Sequence, residues 1–458
     1  MISFGLLGGF CDHLEIRITG LSEEGFLFRV PEKIEKAACL EICFFDFSAD
    51  CYRKVQLAEK EREMKLTEET PFFFIYSVWT KNGEYREQVK RLVTDYDKYI
   101  SLKLAGDDSY LSEKMVGYPA ELDEVYAESF EEQKKEWFSC VGDGIQECRN
   151  TWEHKKWNIT DFPEFELAIT IDRPELYYDF LQKDWTRFCH DYWKNNFLEH
   201  HTLSKKRVTR IYIGNQFCHN LFPKKKLLFQ VLEKALENNL AVTLAFSYIR
   251  NHLLEEIDEL LQELEVWCQS REKEAGKDQE EIIVNDWAMP ILLQGKPHLK
   301  PVLGVLLNKR RKDVRLPYKH GIGNHVDSLA ENNLNCGFYQ DYLKNTFDIQ
   351  RFEFESCGYK VTIPDGHHSL HLPFFQTNTS QYCTLYAVCR YGDRGKQKLP
   401  ENCPKYCEQK VFLYPKHLKM VGRYNSLFGY DEKILWDEKQ LQDYLEQGID
   451  RIVVNVSL

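Results

Sequence analysis

The densest run of chemically capable side chains lies late in the chain. It is Cys383-Thr-Leu-Tyr-Ala-Val-Cys389, followed by Cys403-Pro-Lys-Tyr-Cys407. Thirteen residues, including the turn-rich Tyr391-Gly-Asp-Arg-Gly395, separate Cys389 from Cys403, and three separate Cys403 from Cys407. The close pair can serve one metal centre, because a helical turn or tight loop puts both sulfurs on the same side. Thiolates suit iron–sulfur clusters and zinc. Four unrelated thiols in a cysteine-rich chain account for the spacing about equally well. Cys218, in Ile211-Tyr-Ile-Gly-Asn-Gln-Phe-Cys-His-Asn, stands just past a strand and is a further candidate ligand. His219 beside it reads as a surface or capping residue.

Three other groups are candidates. In Asp365-Gly-His-His-Ser-Leu-His371, His367 and His368 read as a polar loop before a strand expected over Leu370 to Phe375. His371 heads that strand and is a candidate acid–base group. The basic run Asn308-Lys-Arg-Arg-Lys-Asp-Val-Arg315 suits an anionic substrate or RNA phosphate, and equally a solvated loop. Asp286, in Asn285-Asp-Trp287, ends a strand, where a carboxylate can act as a base or cap the next helix. No glycine-rich phosphate loop, serine-nucleophile elbow or His-Glu-x-x-His sequence occurs.

The elements that position these residues follow from patterning. Residues 1–110 read as β, with Leu14-Glu-Ile-Arg-Ile, a turn at Gly20-Leu-Ser-Glu-Glu-Gly25 and a return at Phe26-Leu-Phe-Arg-Val, which suggests a small barrel or sandwich. Residues 111–163 read as a charged helical connector. From 164 to 458 strands and helices alternate. The strands include Glu166-Leu-Ala-Ile-Thr-Ile, Val208 to Gly214, Leu240 to Phe246, Glu281 to Asp286, Pro301 to Leu307, Ile349 to Glu355 and Asp450 to Val456. That alternation predicts a parallel α/β architecture, best satisfied by a TIM-like (β/α)8-type barrel with its chemistry at the C-terminal ends of the strands.

The chain has 458 residues, room for two or three domains, and a formal charge of −12, which argues against general nucleic-acid affinity. The longest clearly apolar stretch, Leu240 to Ile249, is too short to span a bilayer. The N-terminus lacks the basic region of a signal peptide, so a cytoplasmic location is expected. The 15 cysteines are odd in number and in that setting are thiols or metal ligands rather than a disulfide framework. Cys39, Cys43, Cys140, Cys148, Cys189, Cys268 and Cys357 read as small hydrophobes.

From Phe165 onward the chain resembles the collagenase-like peptidase family numbered U thirty-two, and most closely its members that assist oxygen-independent hydroxylation in ubiquinone synthesis. The pieces that carry the likeness occur in order. They are Tyr212-Ile-Gly-Asn-Gln-Phe-Cys218, Ile283-Val-Asn-Asp286, His371-Leu-Pro, Tyr386-Ala-Val-Cys389, Cys403-x-x-x-Cys407, Tyr414-Pro, Tyr424-Asn and Ile452-Val-Val-Asn. The resemblance implies a [4Fe–4S] cluster held by Cys218, Cys389, Cys403 and Cys407, with Cys383 a neighbour, and it selects iron–sulfur over zinc. Residues Lys309 to Asn345 depart from the family pattern. The N-terminal Gly20-Leu-Ser22-Glu-Glu-Gly25 resembles the second signature of PilZ domains, which bind cyclic di-GMP. The upstream arginine pair is missing, so that nucleotide is not expected to bind.

The leading expectation is an iron–sulfur enzyme or enzyme subunit in an oxygen-independent hydroxylation or related modification. A small molecule, peptide or RNA would be the substrate, and a partner of the same family is expected. Asp286 and His371 are the catalytic candidates. The alternatives are a non-catalytic interaction or sensor protein on a cluster-stabilised barrel, and a peptidase.

Overall fold

The computed structural model describes residues 6–12, 14–35, 37–46, 48–49, 51–70, 73–104, 134–135, 137–138, 162–275, 280–312, 314, 330–393, 396, 398–400, 402–413, 419–435 and 437–456. The described residues up to 104 form one compact unit and those from 134 onward a second. Most of the expected helical connector lies outside the described residues, as do Cys140, Cys148 and Tyr414-Pro.

In the first unit seven strands form one antiparallel sheet. They are β1 (Leu7–Cys11), β2 (Leu14–Ser22), β3 (Gly25–Val30), β4 (Leu40–Asp46), β5 (Cys51–Leu57), β6 (Arg62–Glu69) and β7 (Phe74–Thr80), ordered β5-β4-β1-β2-β3-β7-β6. Phe28, Phe44, Val55 and Tyr85 form its core. The β reading of residues 1–110 is corrected over its last quarter: Gly83–Leu104 is helix α1. Asn82 starts it by accepting from the Tyr85 backbone N–H at 2.9 Å, and Tyr85, Val89 and Leu92 are its buried stripe.

The second unit is built on eight parallel strands with helices between most of them. In chain order they are β8 (Glu166–Ile171), β9 (Arg210–Ile213), β10 (Ala241–Ala245), β11 (Glu280–Val284), β12 (Leu299–Leu303), β13 (Glu353–Glu355), β14 (His368–Leu372) and β19 (Ile449–Val454). The sheet order is β12-β11-β10-β9-β8-β19-β14-β13. A bridge between Leu303 and Phe352, with the Leu303 N–H donating to Arg351 O at 3.0 Å, brings the two edges together, so the barrel is nearly closed. The helices are α2 (Pro174–Gln182), α3 (Trp185–Asn195), α4 (Lys225–Glu237), α5 (Leu254–Ala275), α6 (Ala288–Leu292), α7 (Gly337–Phe347), α8 (Thr384–Tyr391) and α9 (Glu438–Glu446). Their local chemistry is ordinary. Pro174 opens α2, Asp184 caps α3 through the Arg187 N–H, and α4 buries Leu228, Val231, Leu232 and Ala235 at helical spacing.

Two expected strands are shorter than the apolar runs suggested. The run Pro301 to Leu307 is strand only to Leu303, because Gly304 leads into a turn in which the Leu307 N–H returns to Gly304 O. The strand expected over Leu370 to Phe375 is two strands, β14 and β15 (Phe374–Thr379), divided at Pro373. His371 is therefore the fourth residue of β14 rather than its head. Between β14 and β19 the chain inserts a four-stranded antiparallel sheet of β15, β16 (Phe412–Leu413), β17 (Met420–Arg423) and β18 (Ser426–Tyr430), together with α8. Trp137 stacks on Tyr430 of this insert at 5.2 Å.

Inside the barrel, Ala168, Tyr212, Ala245, Ile283, Val302 and Val453 form an interior cluster. At the N-terminal ends of the strands the fill is ionic. Arg451 binds Glu166 and Glu281, both at 2.6 Å, Arg210 reaches the same two carboxylates at 3.0 and 3.3 Å, and Arg351 binds Asp450 at 2.7 Å. Arg451 is buried and the others are partly so, and all are mutually paired, the condition under which a barrel interior tolerates them. No helix among the described residues is long and apolar enough to cross a membrane.

Candidate functional site at the C-terminal face of the barrel

The segment after β9 is built to aim Cys218. Gly214 has φ +108°, and a Cβ there would meet Ala245 O at 2.6 Å, so the chain can pass only as glycine. Asn215 then folds the loop on itself, its Oδ1 accepting from the N–H groups of Phe217 and Cys218, both at 2.9 Å. Cys218 follows the C-terminal end of its strand, and Asp286 follows β11 in the same way.

The insert supplies the other thiols. Cys383 is the N-cap of α8, its Sγ accepting from the Tyr386 N–H at 3.3 Å and donating to Tyr424 O at 3.0 Å. Cys407 lies in a short helical turn, and its carbonyl accepts from Arg423 Nε at 2.9 Å. The β17–β18 turn thus clasps both: Tyr424, with φ +58°, holds Cys383, and Arg423 holds Cys407. Asn425 holds the same turn to Ser380 O, within the insert, at 2.6 Å and ties it to the barrel through Tyr248 Oη at 3.1 Å.

Four thiols feel one another electrostatically: Cys218, Cys383, Cys403 and Cys407. Burial, then the neighbouring sulfurs, push Cys218 up to about 11 and Cys383 up to about 12, and raise Cys407 further. Among the described residues, no group of three or more His, Cys, Asp or Glu side chains is arranged to hold a metal ion. Cys383, expected as a neighbour of the ligands, is linked electrostatically to Cys218 and Cys403, whereas the Cys389 thiol is raised by burial and lowered by Lys410.

The two catalytic candidates have different surroundings. Asp286 caps α6, with Oδ1 accepting from the N–H groups of Ala288 and Met289 at 3.0 and 3.1 Å and Oδ2 accepting from Ile249 N–H. That is the capping role, at the edge of a cleft of 610 Å³ that Tyr248, Asn308, Lys312, Gln376 and Ser380 also line. His371 lies deeper, 2% exposed, with Nε2 2.5 Å from Glu353 Oε2. It borders a small inner cavity of 30 Å³, room for about one water, shared with Asp172, Asn215 and Glu355. Burial acts against the Glu353 charge, but His371 and Arg451 hold the carboxyl below its ordinary value.

Tyr424 Oη reaches Asp172 Oδ2 at 3.4 Å, and burial raises the Tyr424 phenol. Tyr424 therefore stands between the thiols, which affect it through Cys407, and the inner cavity. Glu353, Glu355 and Asp172 were not singled out from sequence. The available signal was the alternation of Glu353-Phe-Glu355 within a strand, which in a barrel places both acids inside. His219, Lys309 and the exposed His367 make no further contribution to this inner site.

No family model, curated protein or solved structure matches the chain.

Proposed function

We propose that the chain is an iron–sulfur protein of the collagenase-like peptidase type, an enzyme or enzyme subunit for an oxygen-independent hydroxylation or related modification. On this reading the second unit is a (β/α)8 barrel and the first a PilZ-like domain without its nucleotide. The observation that supports it is that Cys218, Cys383, Cys403 and Cys407 lie close enough to influence one another's charge, although among the described residues they are not arranged as a ready-made metal site.

By residue type alone four thiolates suit a [4Fe–4S] cluster or zinc, and it is the family likeness that favours the cluster. Cys218, Cys383, Cys403 and Cys407 would be the ligands, and Cys383 would have to release Tyr424 O and the Tyr386 N–H to serve. Such a group supplies one-electron transfer, and with four thiolates no iron is left open for substrate. The chain's own side chains do the remaining work. The cleft receives the substrate, the Glu353 carboxylate orients His371 for proton transfer at the inner cavity, and Tyr424 separates that cavity from the sulfurs.

The test is purification of the full chain under strict anaerobiosis, followed by visible absorption and iron and sulfide analysis. Broad visible absorption with about four irons and four sulfides per chain is expected. A colourless protein carrying zinc alone, unchanged by reconstitution with iron and sulfide, would overturn the reading.

A further inference from the structure

The geometry points to a receptor for a small anion in the cleft above β12 and β13: a carboxylate or phosphate group of a metabolite-sized ligand, held by Lys312 with Lys309 and Arg310 beside it. This rests on the reading of the C-terminal face as the functional site and names the class of molecule it takes.

The argument is a charge count. Three cations, Lys309, Arg310 and Lys312, line the cleft against one carboxylate, Asp286, whose two oxygens are already occupied by three backbone N–H groups. Lys312 is only 8% exposed at its side chain. Its Nζ bonds to Glu355 Oε2 and, at 3.2 Å, to Gln376 Oε1, which leaves the third N–H of the ammonium unassigned. Arg310 Nη2 donates to the backbone carbonyl of the same Glu355, and its Nη1 is buried with no hydrogen-bond partner among the described residues.

Glu355 carries a single negative charge between the two cations, and its other oxygen also accepts from the Gln376 N–H at 2.7 Å. Two buried cations thus share one carboxylate. Interiors pair their charges, so an excess positive charge beside an open cleft is a place for an anion from outside. Burial lowers Lys312 below its ordinary value, and Arg310 lowers it further against the pull of Glu355.

The occupant is small. A cleft of 610 Å³ is the size of a metabolite site and larger than a bare phosphate. The chain's net charge of −12 disfavours a polynucleotide, which needs a broad positive track.

The test is titration calorimetry on the full chain with malonate, inorganic phosphate and, as a neutral match, malonamide. Saturable, salt-sensitive binding of malonate, phosphate or both is expected, and which one binds identifies the head group. Malonamide should not bind. Lys312→Gln should weaken binding about tenfold or more, and Glu355→Gln, which removes the competing carboxylate, should tighten it. The second variant keeps the test decisive if the first does not fold. Absence of binding by both anions, equal binding of malonamide, binding by an oligoribonucleotide alone, or weakening in a folded Glu355→Gln variant would overturn the proposal. Iron content in the same samples reports on the cluster separately. Iron retained without anion binding sinks only the receptor, and anion binding without iron sinks only the cluster.

Discussion

His371 Nε2 and Glu353 Oε2 face each other at 2.5 Å across the neighbouring parallel strands β14 and β13, both side chains almost completely buried. Tyr212 Oη donates to Glu353 Oε1 at 3.1 Å from β9 on the other side of the interior, and it is itself reached by Arg451 at 3.1 Å. A continuous hydrogen-bonded path therefore runs from the ionic layer at the N-terminal end of the barrel to a buried imidazole beside the inner cavity. Its function is to fix one ring orientation for His371 beside the inner cavity, where an unsupported imidazole would be free to turn.

That pairing is testable as a coupling. His371→Gln and Glu353→Gln should each lower stability by about 3 kcal/mol, because each leaves a buried polar partner unmatched. The double variant should lose far less than their sum. Denaturant melts of the four proteins measure the coupling. Strict additivity would show that the two side chains do not depend on each other.

The ionic layer sets the acid limit of the barrel. Burial alone would raise the Glu281 carboxyl, but Arg210 and Arg451 hold it down at about 2, against 4.5 for the free group. A depressed carboxyl contributes stability that is fully present above pH 4.5 and is lost as pH falls toward 2. The expected loss is on the order of 3 kcal/mol. His201 acts in an earlier window. Its Nδ1 accepts from Leu203 N–H at 3.1 Å and its Nε2 donates to Leu435 O at 2.9 Å, so it is buried neutral, with burial lowering it to about 4 from 6.5. Its contribution is present above pH 6.5 and falls between 6.5 and 4. Thermal melts should decline in both windows, and Glu281→Gln should flatten the lower one while leaving the upper. An unchanged acid profile in that variant would place the acid sensitivity elsewhere.

Gly304 couples the barrel wall to the cleft. A Cβ there would stand 2.1 Å from Asn285 Oδ1 and 2.6 Å from Ile283 Cγ2. Asn285 cannot yield cheaply, because Oδ1 accepts from the Leu306 N–H at 3.1 Å and Nδ2 donates to Phe246 O at 2.7 Å. Gly304→Ala should therefore cost about 1–3 kcal/mol in a denaturant melt. Binding in the cleft should weaken with it, since Asn285 forms part of the lining. A variant as stable as the parent would mean that the wall relaxes without strain.

The strands of the barrel were legible because buried parallel strands read as short apolar runs bounded by turns, as in Glu166-Leu-Ala-Ile-Thr-Ile and Leu240-Ala-Val-Thr-Leu-Ala. Their ends were less so: Gly304 and Pro373 interrupt runs that look continuous in hydropathy alone. The helix Gly83–Leu104 was hidden by its charge, since its apolar stripe of Tyr85, Val89 and Leu92 is diluted by exposed Lys, Arg, Asp and Glu. Acids inside strands, such as Glu353 and Glu355, look like a solvent face until closure of the sheet puts that face inside. The grip of Arg423, Tyr424 and Asn425 on residues some 16 to 45 positions away is tertiary and has no local signature.

The thiol group gives the sharpest test of the proposed cluster, because Cys383 and Cys389 are rival candidates for its fourth ligand. Likeness selects Cys389 with Cys218, Cys403 and Cys407. In the structure Cys383 is held at the N-cap of α8, where its sulfur meets Tyr424 O and is linked electrostatically to Cys218 and Cys403, while the Cys389 thiol is shifted by burial and by Lys410. A helix N-terminus also favours a thiolate, because the unpaired N–H groups and the dipole stabilise its charge. Cys383→Ala should therefore strip iron and sulfide from the anaerobically prepared protein, and Cys389→Ala should leave them in place. Cys403→Ala, a ligand on either assignment, is the positive control, and Cys268→Ala, in α5, is the control for a buried thiol outside the group. Metal analysis with the visible spectrum reads all four. Iron retained in Cys383→Ala but lost in Cys389→Ala would restore the assignment made from likeness. Iron retained in all three of the Cys383, Cys389 and Cys403 variants would remove this region from metal binding altogether.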